Sequence, residues 1–339
     1  MAQEYEKKEL RQHIFDTPDT YVGGIESISV TQPILSISGN EKQIVHKEIE
    51  IIPALLNIFN EILVNARDQI VRLNQMAEKD KSIQQVTSIK INITDKNITV
   101  TNDGDGISVK LHDKEKIHIP QLIFGELLTS SNYKKDEKKI VGGKNGFGFK
   151  LVLIYSKWGE IETVDHIRKL KYTQRVERNL TKIGKPTIEK YTGKPYTKVT
   201  WLPDYEKFGL EGMTQDIWSL FRKRAYDVAA VTSKSLKVKI QDNDIPIKSF
   251  EQYVDMYIGN KEETKRVSLD SDRWECVVSL SPLDEFTQVS FVNGIYTGKG
   301  GRHVEYIVNQ ITRKMIDYIK KKKKVTVKAV TIKEQLIVF

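Results

Sequence analysis

The chain has 339 residues, 39% hydrophobic and 29% charged, which is enough apolar material for one large or two ordinary domains with packed cores and excludes a disordered, collagenous or disulfide-stapled chain. Cys276 is the only cysteine, no apolar run approaches the ~20 residues that span a bilayer, and the first twenty residues are too charged for a signal peptide, so a soluble intracellular protein is expected. The net charge of +9 sits almost wholly in residues 299–339, where eleven Lys or Arg face three acids; this favours a polyanionic partner, nucleic acid or an acidic membrane surface, or is simply a solvated lysine run on a helix end.

Pro53, at a first-turn position, opens a helix expected over 53–76. Leu55, Phe59, Ile62, Leu63, Ala66 and Ile70 fall on one face, while Glu61, Asn65, Asp68 and Arg72 fall on the other, so a carboxylate and an amide stack one turn apart. Ile89, Ile91 and Ile93 then alternate with polar residues, Asp95-Lys96-Asn97 turns the chain, and Ile98 and Val100 alternate again. This hairpin delivers Asn102-Asp103-Gly104-Asp105-Gly106. A second helical stretch from Pro120 leads to Ser130-Ser131-Asn132 and a lysine-rich loop. Gly142-Gly143-Lys144-Asn145-Gly146-Phe147-Gly148-Phe149-Lys150 then runs into the apolar segment 151–155. Strand-like pieces are expected at 160–176, 187–202 and 235–241, a helix near 214–231, and a domain boundary at 245–250. Beyond it, a buried strand at 289–292, a glycine-rich crossover at 297–302 and a helix at 304–324 read as a βαβ unit.

Several of these pieces offer chemistry. A helix carboxylate such as Glu61 can accept a proton from an attacking water. An amide oxygen one turn on, at Asn65, can complete a magnesium shell that otherwise keeps waters and phosphate oxygens. Asp103, at a strand end, can accept a hydrogen bond from the exocyclic amine of adenine. Taken singly, Glu61 and Asn65 are the ordinary residues of a wet helix face and Asn-Asp-Gly is an ordinary turn. The glycines at 142, 143, 146 and 148 let backbone N–H groups approach a phosphate, with Lys144 and Lys150 adding charge, but there is no G-x-x-x-x-G-K-S/T and hence no Walker loop. Ser130, Ser131 and Asn132 suit ribose and phosphate oxygens, or cap the preceding helix.

In this order, Glu61-x-x-x-Asn65, Asn102-Asp103-Gly104-x-Gly106 and the glycine loop ending at Lys150 resemble the three nucleotide boxes of the GHKL ATPase superfamily. Longer strings are similar to the eukaryotic-type DNA topoisomerase II amino-terminal ATPase region: Thr17-Pro18-Asp19-Thr20-Tyr21-Val22-Gly23, Ile62-Leu63-Val64-Asn65-Ala66, Leu127-Leu128-Thr129-Ser130-Ser131-Asn132-Tyr133, Ser290-Phe291-Val292-Asn293-Gly294 and Gly300-Gly301-Arg302-His303-Val304. The resemblance runs from about Tyr5 to Phe339. It implies an α+β chain: an N-terminal strap at 1–24, a GHKL (Bergerat) α/β sandwich over 25–247, and a transducer over 248–339 with a βαβ crossover, ribosomal S5 domain 2-like. It implies ATP and Mg2+ as cofactors, with Glu61 as general base, Asn65 as magnesium ligand, and Asp103 as adenine reader with Asn102 beside the nucleotide. Ser130, Ser131 and Asn132 would contact sugar and phosphate; Gly143, Lys144, Asn145, Gly146, Phe147, Gly148, Phe149 and Lys150 would wrap the triphosphate as a lid; Thr197 would lie beside the adenine. Tyr5 matches a strap tyrosine that touches the nucleotide of the partner subunit, and Lys320, Lys321 and Lys322 match a lysine cluster near the DNA path.

The implied activity is that of an ATP-operated homodimerising gate that captures double-stranded DNA for strand passage, at a site of DNA metabolism such as a nucleus or a viral factory. Gln69, Lys144 and Phe147 stand where the family usually has Asn, Arg and Tyr, and lysine at 144 lacks the forked donor geometry of arginine. The chain stops in what reads as mid-strand, before the family's Gln-Thr-Lys loop, so a fragment with slow hydrolysis is expected and a DNA-cleavage core beyond residue 339. Two other readings are a nucleotide-sensing dimerisation module with little catalysis and another GHKL ATPase of mismatch-repair or chaperone type.

Overall fold

The computed structural model describes residues 8–39, 41–127 and 148–339. The chain divides between Pro246 and Ile247 into two compact units, with Ser36–Ile44 grouped with the second.

α1 (Leu10–Asp16) and α2 (Pro18–Tyr21) of the first unit precede a long hairpin of β1 (Ile28–Ser38) and β2 (Glu41–Ile51), for which the sequence carries no strong alternation. α3 (Pro53–Lys79) follows, with Pro53 at its start as expected, and buries Leu55, Ile58, Phe59, Ile62, Leu63, Ala66, Ile70 and Leu73. β3 (Ser88–Ile93) and β4 (Ile98–Asp103) form the expected hairpin. Then come α4 (Ile119–Gly125), α5 (Gly148–Ile154), β5 (Ser156–Asp165), β6 (Leu170–Glu177), β7 (Lys182–Ile183), β8 (Thr187–Lys190), β9 (Tyr196–Pro203), α6 (Gln215–Ala230), β10 (Lys237–Ile240) and β11 (Asn243–Asp244).

Among the described residues the strands form a nine-stranded sheet of order β11-β10-β3-β4-β9-β5-β6-β7, with β8 also paired to β6. Register decides what each face carries, because side chains alternate along a strand and partners directly opposite share a face. One row runs Ile240, Ile91, Val100, Val199, Ile161 across β10, β3, β4, β9 and β5. All five side chains are buried. α3 and α6 pack together through a stacked pair, Phe59 and Phe221, with centroids 3.9 Å apart.

The second unit begins with α7 (Phe250–Ile258), β12 (Arg266–Asp270), β13 (Glu275–Leu280), β14 (Thr287–Gln288), β15 (Phe291–Val292) and β16 (Ile295–Tyr296), and ends with α8 (Arg302–Lys323), α9 (Ala329–Glu334) and β17 (Leu336–Val338). Its four-stranded sheet has the order β12-β13-β17-β14, and β14 pairs parallel to β17. α8 lies on the crossover between those two strands, which is the expected βαβ unit. The strand expected at 289–292 is shorter and split. Val289 is buried, but β15 turns back at once on β16 through Asn293 and Gly294, whose φ of 51° and 78° are those of a tight hairpin turn. Val304 and Val308 of α8 pack with Cys276, Ile332, Leu336 and Val338 to form this unit's core.

Candidate active site

The row of side chains next to the apolar row on the same sheet face is where polarity enters. It runs Val238, Ile89, Asn102, Thr197, Thr163 across β10, β3, β4, β9 and β5. Asn102 is 6% exposed and Thr163 fully buried. The hydroxyls of Thr163 and Thr197 are 2.9 Å apart, and Thr163 Oγ1 also accepts from the Ile107 backbone N–H at 2.9 Å. A polar end to an otherwise apolar face is the signature of a place where something polar is bound, since buried hydroxyls and amides require partners.

α3 packs on β4 and carries Glu61 and Asn65 one turn apart. Asn65 Nδ2 donates to Glu61 Oε1 at 3.4 Å, so the atom Asn65 has left to offer is its amide oxygen. Burial pushes the Glu61 carboxyl above the ordinary carboxylate range; the Asn65 hydrogen bond opposes this and the charge of Asp68 adds to it. A carboxylate raised in this way is a stronger proton acceptor. Two turns beyond Glu61, Gln69 Nε2 donates to the Asp105 carbonyl at 3.3 Å and ties the helix to the loop after β4.

α5 begins against Glu61. A Cβ at Gly148 would lie 1.8 Å from Glu61 Oε1 and 2.4 Å from its Cδ, so the absence of a side chain there is what lets the carboxylate occupy its position. Gly148→Ala is expected to force Glu61 or α5 aside and to cost about 1–3 kcal/mol, the usual range for overpacking. Chemical denaturation of the variant reads this directly, and an unchanged midpoint would mean that the contact is looser than the geometry implies.

Phe149 and Lys150, expected in a lid over phosphates, belong to the first turn of α5. Phe149 is buried edge-on against Phe124 of α4 with centroids 4.6 Å apart, a contact that seats α5. Lys150 is 4% exposed, and burial pulls its ammonium down to about 8. Tyr5, Ser130, Ser131, Asn132, Gly143, Lys144, Asn145, Gly146 and Phe147 lie outside the described residues.

The adenine reader expected at Asp103 needs correction. One residue beyond Asn102, it falls on the opposite sheet face by the alternation of the strand, in register with Tyr196. There its carboxylate accepts from the backbone N–H groups of Thr87 and Ser88, both at 2.7 Å, and from the Thr87 hydroxyl at 2.5 Å. Three donors satisfy it as a clamp on the start of β3. The side chain that β4 directs to the helix-covered face is Asn102.

In the second unit Lys320, Lys321 and Lys322 are exposed in the last turn of α8, which ends on Lys324 in the left-handed region at φ 60°. Lysines at a helix C-terminus complement the helix dipole as well as any external anion. Among the described residues there is no group of three or more His, Cys, Asp or Glu able to hold a metal, and no helix is long and apolar enough to cross a membrane.

The family model for DNA gyrase B matches residues 249–339. The DNA topoisomerase 2 of Acanthamoeba polyphaga mimivirus is 41% identical over 348 residues, covering 100% of this chain and 27% of that protein. The crystal structure of the ATPase region of Saccharomyces cerevisiae topoisomerase II matches with a TM-score of 0.87 at 37% identity, covering 99% of this chain and 84% of that one. The ATPase and transducer domains of DNA topoisomerase II from Balamuthia mandrillaris match with a TM-score of 0.88 at 34% identity, again covering 99% and 84%. The chain spans about a quarter of the length of the curated relatives it matches.

Proposed function

Because this chain belongs to the family of eukaryotic-type DNA topoisomerase II ATPase regions, we propose that it is the ATP-operated gate of such an enzyme: it binds Mg-ATP, closes on a second copy of itself around a double-stranded DNA segment, and hydrolyses the nucleotide to reopen. The observation that carries the reading is Glu61, half-buried on α3, hydrogen-bonded by Asn65 and seated against Gly148.

In this reading Glu61 takes the proton of the water that attacks the γ-phosphorus, the new P–O bond forms, and the bond to the β–γ bridging oxygen breaks to leave ADP. Asn65 would hold a magnesium ion through its amide oxygen, a single neutral ligand that suits a cation shared with phosphates, and the ion would supply charge neutralisation there. Asn102, beside Thr197 and Thr163, replaces Asp103 as the base contact, since an amide both donates and accepts. Lys150 and the residues from 130 to 147 that resemble the family's phosphate contacts complete the site, with Tyr5 reaching the nucleotide of the partner subunit. We assign residues 1–24 to the strap, 25–247 to the nucleotide domain and 248–339 to the transducer, whose Lys320, Lys321 and Lys322 would face DNA.

The test is the solution mass of the chain with magnesium, with and without a non-hydrolysable ATP analogue, together with a count of bound nucleotide. A shift from monomer to dimer with one nucleotide per chain is expected, because a ligand that binds the closed dimer better draws the equilibrium toward it. Nucleotide binding without association would remove the gate and leave the site. No binding would overturn both.

A further inference from the structure

We propose that Asp105 and His166 form a latch that positions the loop at the base end of the site and so decides how tightly the adenine half of a nucleotide is held; the inference rests on the nucleotide reading above. Residues 104–109 leave β4 directly after Asn102 and Asp103. Gly104 has φ +88°, and a Cβ there would lie 2.9 Å from the Val86 backbone nitrogen; a Cβ at Gly106 would lie 2.2 Å from the Val164 carbonyl oxygen. The loop is therefore pressed between the segment that precedes β3 and the end of β5, where no side chain could intervene.

Its backbone is already well held. Ile107 N–H donates to Thr163 Oγ1, the hydroxyl that meets Thr197 in the polar row. Val109 N–H donates to Asp165 Oδ2 at 2.8 Å, and Asp165 is itself bound by the Arg168 backbone and guanidinium at 3.0 and 2.8 Å. Arg168 also donates to Ser108 Oγ at 3.3 Å. On the other side Asp105 N–H donates to the Gln84 carbonyl at 2.9 Å, and Gln69 of α3 reaches the Asp105 carbonyl.

Against that background the Asp105 side chain is an anomaly. It is 9% exposed, and burial holds its carboxyl above the ordinary range, with His166 opposing this and Asp165 and Asp80 adding to it. Its Oδ1 lies 3.0 Å from His166 Nδ1 and has a donor only when that nitrogen carries hydrogen; otherwise the oxygen is buried with no hydrogen bond. A buried carboxylate whose pairing depends on one proton is costly, and a loop held by so many backbone contacts does not need it for folding. What it adds is control of where residues 105–107 sit relative to Thr163, Thr197 and Asn102, the base end of the site, whereas Glu61 and Gly148 define the phosphate end. Asp105 and His166 are positioning residues that act through Thr163.

Calorimetric titration of the whole chain and of the variants H166A, D105A and H166A/D105A tests this, with a non-hydrolysable ATP analogue and, separately, with inorganic tripolyphosphate, which has no base. Each single variant is expected to bind the analogue about tenfold more weakly, as for the loss of one buried polar contact, with tripolyphosphate affinity unchanged. The double variant is expected to be no worse than the weaker single one, since the two act as a unit. If H166A fails to fold, D105A, which leaves no orphaned oxygen, carries the same comparison. Unchanged analogue affinity in the single variants would overturn the latch and leave the nucleotide site standing. Equal losses for both ligands, or a roughly hundredfold loss in the double variant, would reduce the pair to ordinary structural support. Failure of the unaltered chain to bind the analogue would take down the nucleotide reading and the latch together.

Discussion

Glu61→Gln is expected to lower ATP hydrolysis by about 10²–10⁴-fold, the range for loss of a general base, while leaving the affinity for a non-hydrolysable analogue within about twofold. Glutamine keeps the shape that Gly148 accommodates and can still accept from Asn65 Nδ2, so the architecture around position 61 survives and only the proton acceptor is lost. Burial, which dominates the upward shift of this carboxyl, also fixes the sign of the pH dependence. The base works when ionised, so single-turnover hydrolysis rises with pH through a midpoint above the ordinary carboxylate range. That rise should vanish in the variant. Equal single-turnover rates for the two proteins would remove Glu61 from the chemistry, while a matching collapse in analogue affinity would reassign it to binding.

Asp227→Ala is expected to be the most destabilising single change in the first unit, costing about 3–5 kcal/mol as for a buried ion pair broken on one side. Both Lys223 and Arg224 of α6 engage Asp227 Oδ2, the lysine at 3.1 Å, and Arg224 Nε also donates to Asn60 Oδ1 on α3 at 2.7 Å. Lys223 is 0% exposed, and burial pulls its ammonium down to about 8 despite the carboxylate. Between about 8 and the ordinary lysine range the unfolded chain binds more protons at this site than the folded one, so stability rises with pH there. Without the carboxylate, which holds the lysine value up, Lys223 loses its proton at lower pH still, so the loss in Asp227→Ala should grow as pH falls below about 8 and level off above it, where the lysine is neutral in both proteins. At pH 7 the melting midpoint should fall by on the order of 10 °C. Coincident melting curves for the two proteins would show that α6 tolerates both cations without the aspartate.

Much of the site was legible because it is local. The stripe from Leu55 to Ile70, the Pro53 start and the turn at Asp95-Lys96-Asn97 each depend on residues a few positions apart, and the structure has the helix and hairpin where periodicity predicts them. Glu61 and Asn65 share a helix face for the same reason. Longer-range features left weaker traces. The strands β1, β2, β12 and β13 carry no clear local signal. Strand β12 shows why: apart from Arg266 its side chains are exposed, so it lacks the alternation that burial on one face would impose. The choice between Asn102 and Asp103 was open to parity alone, had Ile98 and Val100 been taken as marking the buried face of β4.

Short-range sterics and hydrophobic periodicity act within a window of a few residues, and they suffice for α3 with its carboxylate and amide at one-turn spacing, for the β3–β4 hairpin and for the motifs that carry the family resemblance. Which residues meet is settled by long-range packing. Strand register brought Asn102 beside Thr197 and Thr163, the close approach of α5 put Gly148 against Glu61, and packing turned Phe149 into a core aromatic. The folded chain likewise brought His166 to Asp105 and Arg224 to Asn60. These partners lie from about 25 to more than 160 positions apart, and such pairings follow from chain topology and side-chain fit, which no local pattern encodes.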